Sequence, residues 1–235
     1  MRPLLFLFLL VSLQVNGNEK ILNVAVNIGP PWAYFDKNKG VTGIDVEIIR
    51  RIFAKHGFTT EFHLLAYSRL IKEFNQGKFD FASPAAFAPD NGYLTSKYLP
   101  FKDVVVSLKR RGLTVAKLSD LTGKSIAAYQ HATVVLGAEY AKTVESTNYL
   151  EFAEREVPMT LLVHDRSDVV IGERRLLEYI QNNLYPQDEI VIHPIFASVS
   201  YGAIAKEQGI QQLFDKALKE MIESGEYQEI LAMWP

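Results

Sequence analysis

The chain contains no cysteine. Disulfides, thiolate metal centres and an anchor lipid on an N-terminal cysteine are therefore excluded, and stability has to come from the core alone. Long apolar runs are missing too. The stretch Leu4–Val11 falls well short of the roughly 20 residues that span a bilayer, and Asp, Glu, Lys or Arg interrupts every later apolar segment. No stable membrane insertion is expected. Neither sign of charge dominates, with 25 Lys and Arg against 27 Asp and Glu. The one basic cluster, Lys109-Arg110-Arg111, carries no interleaved aromatics. It reads as a solvated turn, and nucleic acid is not an expected partner. The five histidines (56, 63, 131, 164 and 193) are scattered without ligand spacing, so neither a metal nor another cofactor is expected. Low-complexity segments and internal repeats are absent as well.

What is present begins with an address. Residues 1–17 join a basic Arg2, the apolar run and the permissive Val15-Asn16-Gly17, the pattern of a cleavable secretory signal. The expected location is the periplasm of a Gram-negative cell. The remainder is long enough for one large core or two small ones. Strands and helices alternate through it. Strands are expected at Ile21–Asn27, Thr59–Leu65, Phe79–Ala82, 102–108, Ser125–Tyr129, Tyr149–Phe152, Asp168–Ile171 and Val191–Pro194. Helices are expected after Ile44 and at Ser68–Gln76, Thr133–Thr143, Val157–His164, Glu173–Asn183, 207–223 and 226–234. This rhythm predicts an α/β fold of two lobes, each a mostly parallel sheet flanked by helices. Lobe one takes 18–104 and 203–235, lobe two takes 109–198, and hinge crossings lie at 105–108 and 199–202, with Val106 and Tyr201 as hinge residues.

The opening Asn23-Val24-Ala25-Val26, Gly29-Pro30-Pro31-Trp32-Ala33-Tyr34-Phe35 and Gly40-Val41-Thr42-Gly43-Ile44-Asp45-Val46 resembles bacterial extracellular solute-binding proteins, family 3, which serve importers of polar amino acids. The likeness extends through Lys55-His56-Gly57-Phe58, Gly77-Lys78-Phe79-Asp80, Leu118–Lys124, Asp168–Glu173, Tyr201-Gly202 and Gly225 to Trp234. The resemblance implies a ligand held between two hinged lobes.

Candidate ligand contacts follow from the residues and from that likeness. Trp32 and Tyr34 come after a stiff diproline and either pack the core or stack on a ligand. Tyr67 and Arg69 stand beyond the second strand. Ser83 opens the segment where the family has Thr-x-Thr-Pro-Glu-Arg, whose Arg grips a carboxylate. Here Pro89 is kept, but Asn91 replaces the Arg and Ala86 and Ala88 replace hydroxyls. Asn cannot make the bidentate fork, so another cation must hold any carboxylate, with Arg69, His131 and Arg174 as candidates. Gln130-His131-Ala132-Thr133 takes the place of a Gly-Thr pair at a helix start, where Thr133 serves as cap or ligand contact. Glu173 matches the family's acid that receives an ammonium group, and as a structural residue it would be a helix N-terminal acid.

These readings lead to a monomeric periplasmic binding protein that captures a small polar solute, an amino acid or an amino-acid-like compound of non-standard kind, and delivers it to an ABC importer permease. The alternatives are a lyase on the same fold, similar to cyclohexadienyl dehydratase, and an untethered sensor or scavenger. No Ser-His-Asp order or dense carboxylate set marks a reaction, so no catalytic residue is assigned.

Overall fold

A computed structural model describes residues 20–86 and 90–234. The expectations placed on residues 1–17 and on 87–89 lie outside the described residues. The described strands are β1 (Lys20–Asn27), β2 (Tyr34–Asp36), β3 (Gly40–Thr42), β4 (Phe58–Leu65), β5 (Phe81–Ser83), β6 (Tyr93–Leu94), β7 (Leu99–Phe101), β8 (Asp103–Leu108), β9 (Ser125–Tyr129), β10 (Asn148–Phe152), β11 (Val169–Glu173), β12 (Ile190–His193), β13 (Val199–Tyr201) and β14 (Ile204–Ala205). The described α-helices are α1 (Ile44–Ala54), α2 (Tyr67–Asn75), α3 (Ala132–Val135), α4 (Ala138–Val144), α5 (Val157–Val163), α6 (Arg174–Leu184), α7 (Gln208–Glu223) and α8 (Glu226–Ala232).

The first lobe is a five-stranded sheet in the order β4-β1-β5-β14-β6. β1 runs parallel to β4 and β5, and β14 returns antiparallel to β5. In α1 the residues Ile44, Ile48, Ile49, Ile52 and Phe53 recur at helical spacing, and all are buried. With Phe81, Phe214, Leu218 and Ile230 they fill one side of the sheet beneath α1, α7 and α8. Phe53 stands edge-on to Phe81, with ring centroids 5.2 Å apart. Burying each such side chain contributes about 1.5–3 kcal/mol. The opposite side is closed by Leu70 and Phe74 of α2.

The second lobe has the order β10-β9-β11-β8-β12. β9, β10 and β11 run parallel, while β8 and β12 join antiparallel. The alternation in β8 explains its place. Val104, Val106 and Leu108 face Met159, Leu162 and Leu177, whereas Val105 faces Tyr140 and Val144. Val106 pairs with Val170 and Ile192 in the middle of this sheet, so it is a core residue and not a hinge. The first crossing correspondingly lies at 99–102 and not at 105–108: β7 pairs with β13, Leu99 opposite Tyr201, as a two-stranded ladder. Tyr201 sits in that ladder, edge-on to Phe101 at 5.5 Å.

Two local features differ from the sequence expectation. The helix expected over Thr133–Thr143 is two helices, because Gly137 adopts φ 90° and restarts the chain as α4. The aromatic loop after Trp32 contains a β2–β3 hairpin. Its turn is tied by the Asp36 carboxylate, which accepts from the backbone N–H of Asn38 and Lys39 at 2.8 and 2.9 Å.

Candidate functional site

The site starts from the entry to α1. Gly43 supplies no side-chain cap; instead the carbonyls of Pro31 and Trp32 accept from the N–H groups of Ile44 and Asp45, at 2.9 and 3.0 Å. A Cβ on Gly43 would sit 2.3 Å from the Trp32 carbonyl oxygen, so only glycine permits this approach. The contact fixes Trp32 and Asp45 beside each other at the C-terminal ends of the parallel strands.

Trp32 is buried and stacks on Phe101, with centroids 4.7 Å apart. Its indole N–H reaches the other lobe and donates to Glu173 Oε2 at 3.0 Å. Glu173 ends β11 and caps α6, accepting from the Leu176 N–H at 3.0 Å through the same oxygen. Burial pushes the Glu173 carboxyl up, and the Trp32 bond opposes that rise. A second tie between lobes comes from Arg175, which donates to the carbonyls of Leu231 and Trp234 at the end of α8. Its guanidinium lies 5.9 Å from the Trp32 ring.

These ties border a cavity of about 50 Å³. Asn27, Trp32, Asp45 and Pro84 line it from lobe one, and Arg155 and Glu173 from lobe two.

The walls are charged and incompletely paired. Asp45 is 2% exposed. It accepts from the Tyr98 hydroxyl at 2.6 Å, and Ser83 Oγ lies 2.9 Å from that hydroxyl. Burial pushes the Asp45 carboxyl up to about 6, against the Tyr98 and Ser83 hydrogen bonds. Asn27 Oδ1 is buried without a hydrogen-bond partner among the described residues. Asp103, opposite Glu173 in the β8–β11 ladder, is pushed up to about 6, first by burial and then by the Glu173 charge. The Tyr129 hydroxyl approaches it at 3.4 Å. Arg155 lies 5.9 Å from the Tyr129 ring and, among the described residues, makes no hydrogen bond or ion pair. Burial draws its guanidinium down, opposed by Tyr129 and by the Asp103 charge.

Of the expected contacts, Trp32 and Glu173 line this cavity, and Ser83 stands behind it through Tyr98. Tyr34 packs on Tyr179 and accepts from the Trp234 indole at 3.1 Å. Tyr67 is half-buried and accepts from the Ala86 N–H at 2.9 Å; burial pushes its hydroxyl up to about 12. The three expected cations are elsewhere. Arg69 is exposed on α2 and paired with Glu73 at 2.8 Å, and Arg174 is exposed and paired with Glu178 at 3.1 Å. His131 is exposed, with φ 67°. The anion position it was expected to help form is filled by the chain's own Glu151. That carboxylate accepts from the His131 N–H at 2.6 Å, the Thr133 N–H and hydroxyl at 3.1 Å each, and the Tyr149 hydroxyl at 2.7 Å. Asn91 is exposed and does not line the cavity.

Sequence reasoning missed Arg155, Asp103 and Asn27. Arg155 lies between Glu154 and Glu156 and reads as a solvated charge. The usable signal is topological: Asn27 ends β1, Ser83 ends β5, Glu173 ends β11, and Arg155 follows β10. In open α/β sheets, ligand sites gather beyond the carboxyl ends of the strands. A larger groove of about 770 Å³ shares Phe101 and Glu173 with the cavity and runs along α6. Two of its cations are already occupied, Arg174 by Glu178 and Arg175 by the α8 carbonyls.

Two α/β lobes joined by paired crossing strands, with charged groups enclosed between them, define a periplasmic-binding-protein-like fold. The model of bacterial extracellular solute-binding proteins, family 3, matches residues 22–235, and the chain belongs to that family. It is 27% identical to the probable amino-acid-binding protein YxeM of Bacillus subtilis (strain 168) over 69% of this chain and 65% of that protein, just under two thirds of its length. It is 25% identical to the arginine-binding extracellular protein ArtP of the same organism, over 93% of this chain and 87% of that protein. An ancestral arginine-binding protein solved with arginine superposes with a TM-score of 0.76 at 22% identity, covering 92% of this chain and 98% of that one, a likeness that carries the fold.

Proposed function

We propose that this protein captures a small carboxylate-bearing polar solute of the amino-acid class between its lobes and delivers it to an ABC-type importer. The observation that carries the reading is Arg155: a guanidinium on the interlobe cavity with no hydrogen bond or ion pair among the described residues. An unpaired cation in such a place is costly, and a solute carboxylate supplies the missing bidentate partner. Arg155 thereby takes the task that the Asn91 position gives up. Trp32 forms the aromatic wall, and hinge bending at the β7–β13 ladder opens and shuts the cleft. The amino-acid and arginine binding named for the relatives places those solutes first in the panel to be tried. Export to the periplasm, a permease partner and a monomeric state belong to the same reading.

The test is a thermal-shift screen of protein unfolded and refolded to strip any bound solute. The panel holds the amino acids, polyamines, small carboxylates and short peptides. A ligand at 100 times its Kd stabilises by about 2.7 kcal/mol. The proposal expects a shift with one or a few amino acids and none with polyamines. A shift with polyamines alone would contradict the role given to Arg155. Conversion of the solute, measured by chromatography of the same mixtures, would instead return the lyase alternative.

A further inference from the structure

The two walls of the interlobe cavity make opposite and unmet demands. The lobe-one wall has acceptor capacity to spare. Among the described residues Asn27 Oδ1 is buried and unpartnered, and Asp45, held by the Tyr98 and Ser83 hydroxyls, has no ion pair. The lobe-two wall presents the guanidinium of Arg155, a donor without a hydrogen-bond acceptor among the described residues. Three lobe-two carboxylates bear on this wall. Glu173 Oε2 is engaged by the Trp32 indole and the Leu176 N–H, and Asp103 and Glu156 stand near enough to Arg155 for their charges to act on it.

We infer that the solute lies in the cleft with its cationic group toward Asn27 and Asp45 of lobe one and its carboxylate toward Arg155 of lobe two. This deepens the proposed function and rests on it. It also reverses the polarity implied by the family resemblance, in which a lobe-one Arg holds the carboxylate and a lobe-two acid receives the ammonium. The reversal accounts for two departures together. The lobe-one Arg is replaced by Asn91, which is exposed and away from the cavity. The lobe-two acid, Glu173, is taken up by capping α6 and by the bond to Trp32. A buried acceptor left without a donor loses its hydration with nothing in return, and a bound ammonium placed between Asn27 and Asp45 supplies the missing donor.

The experiment combines charge deletion in the ligand with charge deletion in the protein, read by titration calorimetry on the refolded full chain. The probes are L-alanine with propionate and ethylamine, and L-arginine with 5-guanidinopentanoate and agmatine. The ratio of amino-acid affinity to that of its deaminated analogue measures recognition of the ammonium group. In Asp45→Asn this ratio should fall at least about tenfold, and in Asp103→Asn it should stay within about twofold of the wild-type value. Asn27→Asp, a variant at an unpartnered side chain, should widen the ratio. A ratio that collapses in Asp103→Asn and survives in Asp45→Asn overturns the reversed orientation and leaves the proposed function standing. No binding of either amino acid overturns both.

Discussion

Replacing Trp32 with phenylalanine removes one hydrogen bond between the lobes while keeping a ring against Phe101. The lost bond runs from the indole to a carboxylate that is 8% exposed, across 3.0 Å. A hydrogen bond to a charged group contributes about 1.5–3 kcal/mol, and trimming a buried indole to a phenyl ring adds about 1 kcal/mol of lost packing. The variant should therefore be destabilised by about 2.5–4 kcal/mol. Packing and bonding are separated by a double-mutant cycle with Glu173→Ala, measured by urea denaturation followed by circular dichroism. The coupling energy should be about 1.5–3 kcal/mol. Additive effects of the two substitutions would refute the view that this contact ties the lobes, and would leave Trp32 as a core residue alone.

The buried Asp45 gives a pH signature. Its carboxyl stands at about 6 in the fold against an ordinary value of 3.8, so the stability it contributes is fully present below about pH 4 and lost as pH rises through about 6. A shift of about two units corresponds to about 3 kcal/mol, and Asp45→Asn should gain roughly that much relative to wild type between pH 4 and pH 7 in urea titrations. Parallel stability profiles would contradict the burial argument. At the α1 entry, Gly43→Ala should destabilise by more than about 3 kcal/mol, because its Cβ meets the Trp32 carbonyl oxygen and its φ is +130°. A loss under about 1 kcal/mol in the same assay would mean that the loop gives way easily.

The fold was legible because its signals are local and repeated. The stripe Ile44, Ile48, Ile49, Ile52, Phe53 specifies α1, and short apolar runs such as Ser125–Tyr129 specify the parallel strands. What escaped depended on contacts distant in sequence. Val106 lies in a run that suits a crossing as well as a sheet strand, and pairing with Val170 and Ile192 decides between them. The split at Gly137 escaped as well, although its signal is local, a glycine inside a helical pattern. Trp32 and Glu173, which line the cavity, were singled out because a stiff diproline and a strand-to-helix junction mark them. Arg155, which lines it too, was not. Arg155 sits between two acids, and only the assembled sheet brings it to the cavity, whereas Arg69 and Arg174 each have an acid four residues ahead on their own helix to satisfy them. His131 and Thr133 read as an open anion site because their partner, Glu151, comes from the neighbouring strand.

The most direct test of the account is the affinity of Arg155→Met for whichever amino acid gives the largest thermal shift, measured by calorimetry beside the stability of the solute-free variant. The account predicts that affinity falls at least about a hundredfold. It also predicts that solute-free stability is unchanged or higher, since a half-buried cation without a partner has been removed. Retained affinity would contradict the central claim and assign the carboxylate to another group. Lost affinity together with a collapse of solute-free stability would make Arg155 a structural residue.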